Sequence, residues 1–157
     1  MLVQVSDWSP TPGDAAATFL AGELEQVGAD AGYVGVLDVD KRTVEVSRVT
    51  RYSEKPVRLT FPADAPYPLV QALRDMHPLF IGSNEALACD HPGLTRVVEQ
   101  DHACATLPLL GGGGNILGAV NLAFEDPHDF SDLERSEIQA IAERCAAALA
   151  DALGTAV

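Results

Sequence analysis

Ala103-Cys104-Ala105-Thr106-Leu107-Pro108-Leu109-Leu110, then Gly111-Gly112-Gly113-Gly114-Asn115, then Ile116-Leu117-Gly118-Ala119-Val120-Asn121-Leu122-Ala123-Phe124 read as a strand, a turn and a returning strand. The glycine run can reverse the chain because glycine takes positive φ without a steric penalty. Shortly after, Ser131-Asp132-Leu133-Glu134 carries serine and glutamate at the spacing of a helix capping box. Ile138, Ile141, Cys145, Leu149 and Leu153 continue that helix as an apolar stripe of near-heptad spacing. A hairpin that runs straight into a long amphipathic helix points to an α+β domain.

The rest of the chain extends this pattern. Ala16, Leu20, Leu24 and Val27 recur at helical spacing, which predicts a helix from about Gly13-Asp14 to Val27, stopped by Gly28. Ala31 to Asp38 reads as a buried strand. Thr43 to Val49 and Val57 to Phe61 alternate apolar and polar residues, the pattern of half-buried strands. Three strands in succession predict an antiparallel meander. Leu69, Val70 and Leu73 predict a crossover helix closed by Pro78, and Leu79-Phe80-Ile81 a short strand. Ser83 to Asp101 is polar and partly helical, with Leu94, Val97 and Val98 as apolar anchors. A segment of that length between sheet strands is expected to form a lid or pocket wall. The organisation read from this is a lead-in over residues 1–12, one domain over 13–154 and a tail over 155–157, with no internal repeat.

Composition narrows the function. The chain of 157 residues is 47% hydrophobic and 21% charged, the balance of one globular domain. Its net charge of −13, from 10 basic and 23 acidic residues, excludes a phosphate-backbone footprint and opposes an anionic membrane surface. The first residues lack the basic start and apolar stretch of a signal peptide, and no apolar run is long enough to span a bilayer. Three cysteines make no disulfide framework and fit a reducing compartment. The expected location is the cytoplasm, with no nucleic-acid partner and no membrane partner. The glycine run lacks the following Lys and Ser/Thr of a P-loop, and neither G-x-S-x-G nor H-E-x-x-H occurs.

The order helix, three strands, crossover helix, short strand, lid, hairpin, long helix resembles the GAF domain. The most specific match is Leu107-Pro108-Leu109-Leu110, the glycine turn, Ile116 to Leu122, and then Phe130-Ser131 with Leu133-Glu134 opening the last helix. Pro78-Leu79-Phe80-Ile81 resembles the family's strand after the crossover helix. The likeness covers about residues 13 to 154 and is nearest to stand-alone or N-terminal GAF modules of actinobacterial signalling proteins. It implies a central antiparallel sheet of five to six strands. The terminal helices would lie on one face, and the crossover helix and lid would enclose a pocket on the other. The family binds cyclic nucleotides, bilins, haem, small metabolites or nothing known, so the resemblance implies a small-molecule sensor and names no cofactor. The Asn-Lys-Phe-Asp-Glu set of cyclic-nucleotide members has no counterpart here, and the Cys-His dipeptide of bilin attachment is absent.

Strand parity gives candidate site residues. Val120, Leu122 and Phe124 form one bulky face of the returning strand, suited to the terminal helices. Ala119, Asn121 and Ala123 form the other, small and with one amide able to orient a ligand. Cys104 and Thr106 share a parity on the partner strand, and Phe61, Tyr67 and Phe80 are expected as aromatic walls. The competing expectation is that these residues only pack under the lid and that Asn121 bonds backbone. A zinc site would draw on Cys89, His91, His102 and Cys104, although C-x-H spacing is not the usual knuckle. One GAF branch reduces free methionine sulfoxide with a thiolate nucleophile, for which Cys89 and Cys104 are the candidates. Cys145 lies on the apolar stripe, and the glycine-flanked cysteine motifs of that branch are absent. A further reading is an assembly module. Ala146, Ala147, Ala148, Ala150 and Ala152 permit close helix approach, so the terminal helices could form a homodimer that signals to an output protein in trans.

Overall fold

Thr11 opens the first helix. Its hydroxyl accepts from the Asp14 N–H (3.1 Å) while the Asp14 carboxylate accepts from the Thr11 N–H (2.9 Å), a capping box that satisfies orphan donors from both sides. A computed structural model describes residues 10–98 and 100–154. The helix expected through Val27 is interrupted: α1 (Pro12–Ala21) ends at Gly22, and a separate turn, α2 (Leu24–Val27), ends on Gly28 at φ 74°. Glycine is a poor helix former, and the break lets Leu20 and Leu24 both settle over Gly32. Residues 1–9 of the expected lead-in, and the tail 155–157, lie outside the described residues.

The remaining elements are β1 (Ala31–Asp38), β2 (Thr43–Thr50), β3 (Ser53–Pro62), α3 (Pro68–Asp75), β4 (Leu79–Ile81), α4 (Asn84–Asp90), β5 (Ala103–Leu110), β6 (Ile116–Phe124) and α5 (Asp132–Leu153). The described strands form one sheet in the order β3-β2-β1-β6-β5-β4, and every neighbouring pair is antiparallel. Pro56 is tolerated because β3 is an edge strand. Gly113 and Gly114 take φ 79° and 81° in the β5–β6 turn. Gly118 has a different reason: a Cβ there would lie 2.4 Å from the Gly35 carbonyl oxygen. Among the described residues no helix is long and apolar enough to cross a membrane.

Side chains of opposite parity build two layers. On one face, Val34, Leu107, Leu109, Val120, Leu122 and Phe124 meet Leu20 of α1 and Ile138, Ile141, Cys145 and Leu149 of α5. Each fully buried leucine or isoleucine here contributes roughly 1.5–3 kcal/mol. The α5 stripe ends at Leu149 and Ala150, for Leu153 is 41% exposed. At the edge of this layer the Ser47 hydroxyl donates to Asp14 Oδ1 (2.7 Å), and Arg58 donates to Asp14 Oδ2 through Nε (3.0 Å) and a terminal nitrogen (2.5 Å). This network ties α1 to β2 and β3. Burial alone would raise the Asp14 carboxyl. Arg58, the Thr11 N–H and Ser47 outweigh it and hold the group below the usual carboxylate range.

On the opposite face, Ala31, Tyr33, Val44, Val46, Phe61, Ala119 and Ala123 meet Leu69, Val70 and Ala72 of α3. Val97 and Val98 of the connection between α4 and β5 complete the cover. Terminal helices on one face, crossover helix and lid on the other, is the architecture the resemblance implies.

Candidate functional site

The ladder register aligns Arg48 of β2, Tyr33 of β1, Asn121 of β6 and Thr106 of β5 directly across four adjacent strands. All four share the parity of the α3 and lid face. The result is a polar row through an otherwise apolar layer. The Thr106 hydroxyl donates to Asn121 Oδ1 at 2.7 Å. Arg48 Nε donates to the Tyr33 hydroxyl at 3.0 Å, its guanidinium 5.4 Å from the ring centroid. The Tyr33 hydroxyl donates in turn to Asp101 Oδ2 at 2.7 Å, joining the row to the segment that precedes β5. Thr106 and Tyr33 are fully buried and Asn121 is 7% exposed.

A cavity of about 30 Å³ lies over this row, lined by Tyr33, Leu69, Val97, His102, Cys104 and Asn121 among others. That is room for about one water molecule. Beside it runs an open groove of about 450 Å³, lined by Arg48, Tyr52, Val57, Leu59 and Glu125. Asp101 lines both.

Of the side chains expected from parity, Cys104 and Asn121 line the cavity and Thr106 stands behind Asn121. The partner of Asn121 is a side chain, not the backbone. Phe61 and Tyr67 pack against each other in the same layer, rings 4.7 Å apart, without lining the cavity. Phe80 is on the wrong face. It pairs with Ala105, whose side chain points to the terminal helices, and its ring sits 5.3 Å from Phe130 with Arg135 stacked over it at 4.6 Å. Strand parity had to be carried across a pairing, β4 to β5, that the sequence does not display.

Sequence reasoning missed Tyr33, Arg48 and Asp101, and it offered His102 as a zinc ligand and not as a wall of this cavity. A signal existed for one of them. Arg48 continues the inward parity of Val44 and Val46, and a charged residue at an inward position needs a partner.

Burial pushes the Asp101 carboxyl up, and the nearby Glu125 and Asp30 add to this against the opposing pull of Tyr33 and Arg48. Burial, then Asp101, also raises the Tyr33 phenol. Burial pushes the Cys104 and Cys145 thiols each up to about 12. Both are thiols rather than nucleophilic thiolates at neutral pH. They lie on opposite faces of the sheet, and Cys89 is exposed on α4.

Among the described residues no group of three or more His, Cys, Asp or Glu could hold a metal ion. The alternative set Cys89, His91, His102 and Cys104 is not brought together. α4 carries Cys89 outward, the parity of β5 turns Cys104 to the cavity, and His102 Nδ1 accepts from the Asn84 N–H at 3.3 Å. Of the alanines on α5, Ala146 and Ala150 are buried within the chain itself, whereas Ala147 and Ala152 face outward.

The family model described as GAF domain matches residues 13–150. Among solved structures, the GAF domain of a phosphoenolpyruvate-protein phosphotransferase from Coxiella burnetii superposes with a TM-score of 0.69 at 17% identity, covering 93% of this chain and 86% of that one. The second GAF domain of DevS from Mycobacterium smegmatis gives 0.62 at 18% identity, over 91% and 96%. Free methionine-R-sulfoxide reductase from Neisseria meningitidis gives 0.61 at 19% identity, over 94% and 84%. At these identities the likeness is one of fold. No curated protein matches the chain. With the family match spanning the sheet and the helices on both of its faces, the chain belongs to the GAF domain family.

Proposed function

We propose that this GAF domain is a non-catalytic regulatory module of the cytoplasm that holds a small molecule on the polar row between sheet and lid. Occupancy of the site is passed through the terminal helices, in a homodimer, to an output protein in trans. The observation that carries the reading is the hydrogen-bonded row Thr106–Asn121 and Arg48–Tyr33–Asp101 beneath a cover, on a sheet whose other face is apolar except for the Asp14 network at its edge. Buried polar side chains weaken a core unless they are satisfied, and a row of them beside a cavity is the usual equipment of a recognition site. Burial holds the Cys104 thiol protonated, which favours binding over thiol chemistry.

The test is native mass spectrometry of gently purified protein. A non-covalent mass, lost on denaturation and reduced in Asn121→Leu, is the expected result. The small size of the cavity, about 30 Å³, favours a second reading, an assembly module without ligand. A dimer with no added mass, unaffected by Asn121→Leu, would support that reading and end the first. Its surface would use Leu133, Ala147 and Ala152, which α5 leaves exposed.

A further inference from the structure

Several donors converge on the cavity that Asp101 lines. The Tyr33 hydroxyl points its proton at Asp101, and Arg48 Nε–H stands behind that hydroxyl. Asn121 uses its Oδ1 to accept from Thr106, which leaves Nδ2, a donor only, as the end of the amide available to the cavity it lines. His102 accepts at Nδ1 from the Asn84 N–H, so the neutral ring carries its proton on Nε2. Against this donor set the cavity lining supplies, among the described residues, one carboxylate, that of Asp101.

We infer that Asp101 is an internal stand-in for a ligand carboxylate, and that a small monocarboxylate with an apolar tail binds by taking its place on Tyr33. The inference rests on the small-molecule reading above and names the ligand's chemistry. Asp101 lines both the cavity and the groove, so the two meet at this residue and a ligand lying in the groove can reach Tyr33 where Asp101 stands. The groove, at about 450 Å³, is of the size that holds small organic ligands. Its walls give the tail somewhere to lie: Val57 and Tyr52 are 56% and 75% exposed there, next to Leu59. Its rim sets the charge. Asp30, which pairs with Arg51 at 3.6 Å, and Glu125 both line the groove and repel anions, phosphate and dicarboxylates more than a monocarboxylate, whose single charge Tyr33 and Arg48 are placed to meet.

Butyrate is the probe, with butyramide as its uncharged counterpart and inorganic phosphate as its polyanionic one. Isothermal titration at fixed ionic strength compares the wild type with Asp101→Ala and with the double variant Asp101→Ala, Tyr33→Phe, each checked for folding by circular dichroism. Removing the internal competitor should tighten butyrate binding about tenfold, because the competent state is no longer occupied from within. Tyr33→Phe should abolish that gain, and neither butyramide nor phosphate should bind. Should Asp101→Ala fail to fold, Asp101→Asn replaces it, and it too should bind butyrate more tightly than the wild type. Equal butyrate affinity in wild type and variant, a gain that survives Tyr33→Phe, or butyramide binding as well as butyrate would each overturn the inference. A native ligand mass sensitive to Asn121→Leu but indifferent to Tyr33→Phe would sink the carboxylate assignment and leave the sensor reading intact. Absence of both that mass and the butyrate gain would sink both.

Discussion

Each face of the sheet draws a carboxylate away from water, Asp14 fully and Asp101 in part, and the two are held in opposite ways. Asp14, on the terminal-helix side, is surrounded by four donor atoms from Thr11, Ser47 and Arg58, and its carboxyl is held below the ordinary range. Asp101, on the lid side, accepts from Tyr33 among the described residues, and burial leaves its carboxyl raised. The surroundings differ in the same sense. The first face is packed with leucine, isoleucine, valine and phenylalanine from four strands and three helices, while the second alternates alanines with a polar row under a short helix and an irregular connection. A sheet with two covered faces can thus divide the work: one face supplies the stability that allows the other to keep polar groups out of water without an ideal partner.

The largest test of that division is a pair of truncations. Leu149 is fully buried between α5 and the sheet, so Leu149→Ala should destabilise the fold by about 3 kcal/mol. Val97 is half-buried in the lid, and Val97→Ala should cost less than about 1 kcal/mol. Urea unfolding followed by circular dichroism reads both. Comparable losses at the two sites would break the comparison.

Asp14→Ala comes next, at about 2 kcal/mol. It leaves the Thr11 N–H and the Arg58 guanidinium without their buried acceptor, though Arg58 remains 31% exposed and is partly rescued by water. The sign with pH follows from the lowered carboxyl. Its stabilisation is present above the unfolded-state value of about 3.9 and is lost as pH falls through the folded value. Acid unfolding of Asp14→Ala should therefore start from lower stability and show a shallower loss than the wild type. Identical slopes would mean that Asp14 is not the group that titrates.

Why one face was legible in the sequence and the other was not follows from the same contrast. The helix side announces itself through repetition: Val120, Leu122 and Phe124 on one strand, Ile138, Ile141, Cys145 and Leu149 on one helix, and a Ser131–Glu134 capping box that fixes where that helix begins. Each signal is local and is read within a single element. The parity of Ala119, Asn121 and Ala123 is also local, and it pointed to the correct face. The site needs more than parity. Tyr33 meets Asn121 only because β6 inserts beside β1, and Asp101 meets Tyr33 across 68 positions of chain. Phe80 went to the wrong face for the same reason, since three residues of edge strand carry no alternation from which a direction can be read. The helix break at Gly22 was hidden differently. Leu20 and Leu24 keep perfect helical spacing across it, because both ends of the turn bury their leucine over Gly32.

The smallest effect is the most informative about the polar face. Asp101→Asn keeps an oxygen for the Tyr33 hydroxyl and removes a charge that burial disfavours. At neutral pH it should leave stability unchanged or raise it by less than about 1 kcal/mol, because the weaker hydrogen bond offsets part of the desolvation relieved. The pH dependence is the opposite of that at Asp14. A carboxyl raised on folding contributes stability that is fully present below its unfolded value and is lost as pH rises through its folded value. Wild type should therefore lose stability through Asp101 as pH rises from about 4 towards neutrality, and Asp101→Asn should lose that slope. Thermal melts across this range, taken beside those of Asp14→Ala, resolve the two contributions because they run in opposite directions. A variant whose stability falls at neutral pH and whose slope is unchanged would show that Asp101 is as well satisfied as Asp14, and the two faces would then not differ in kind.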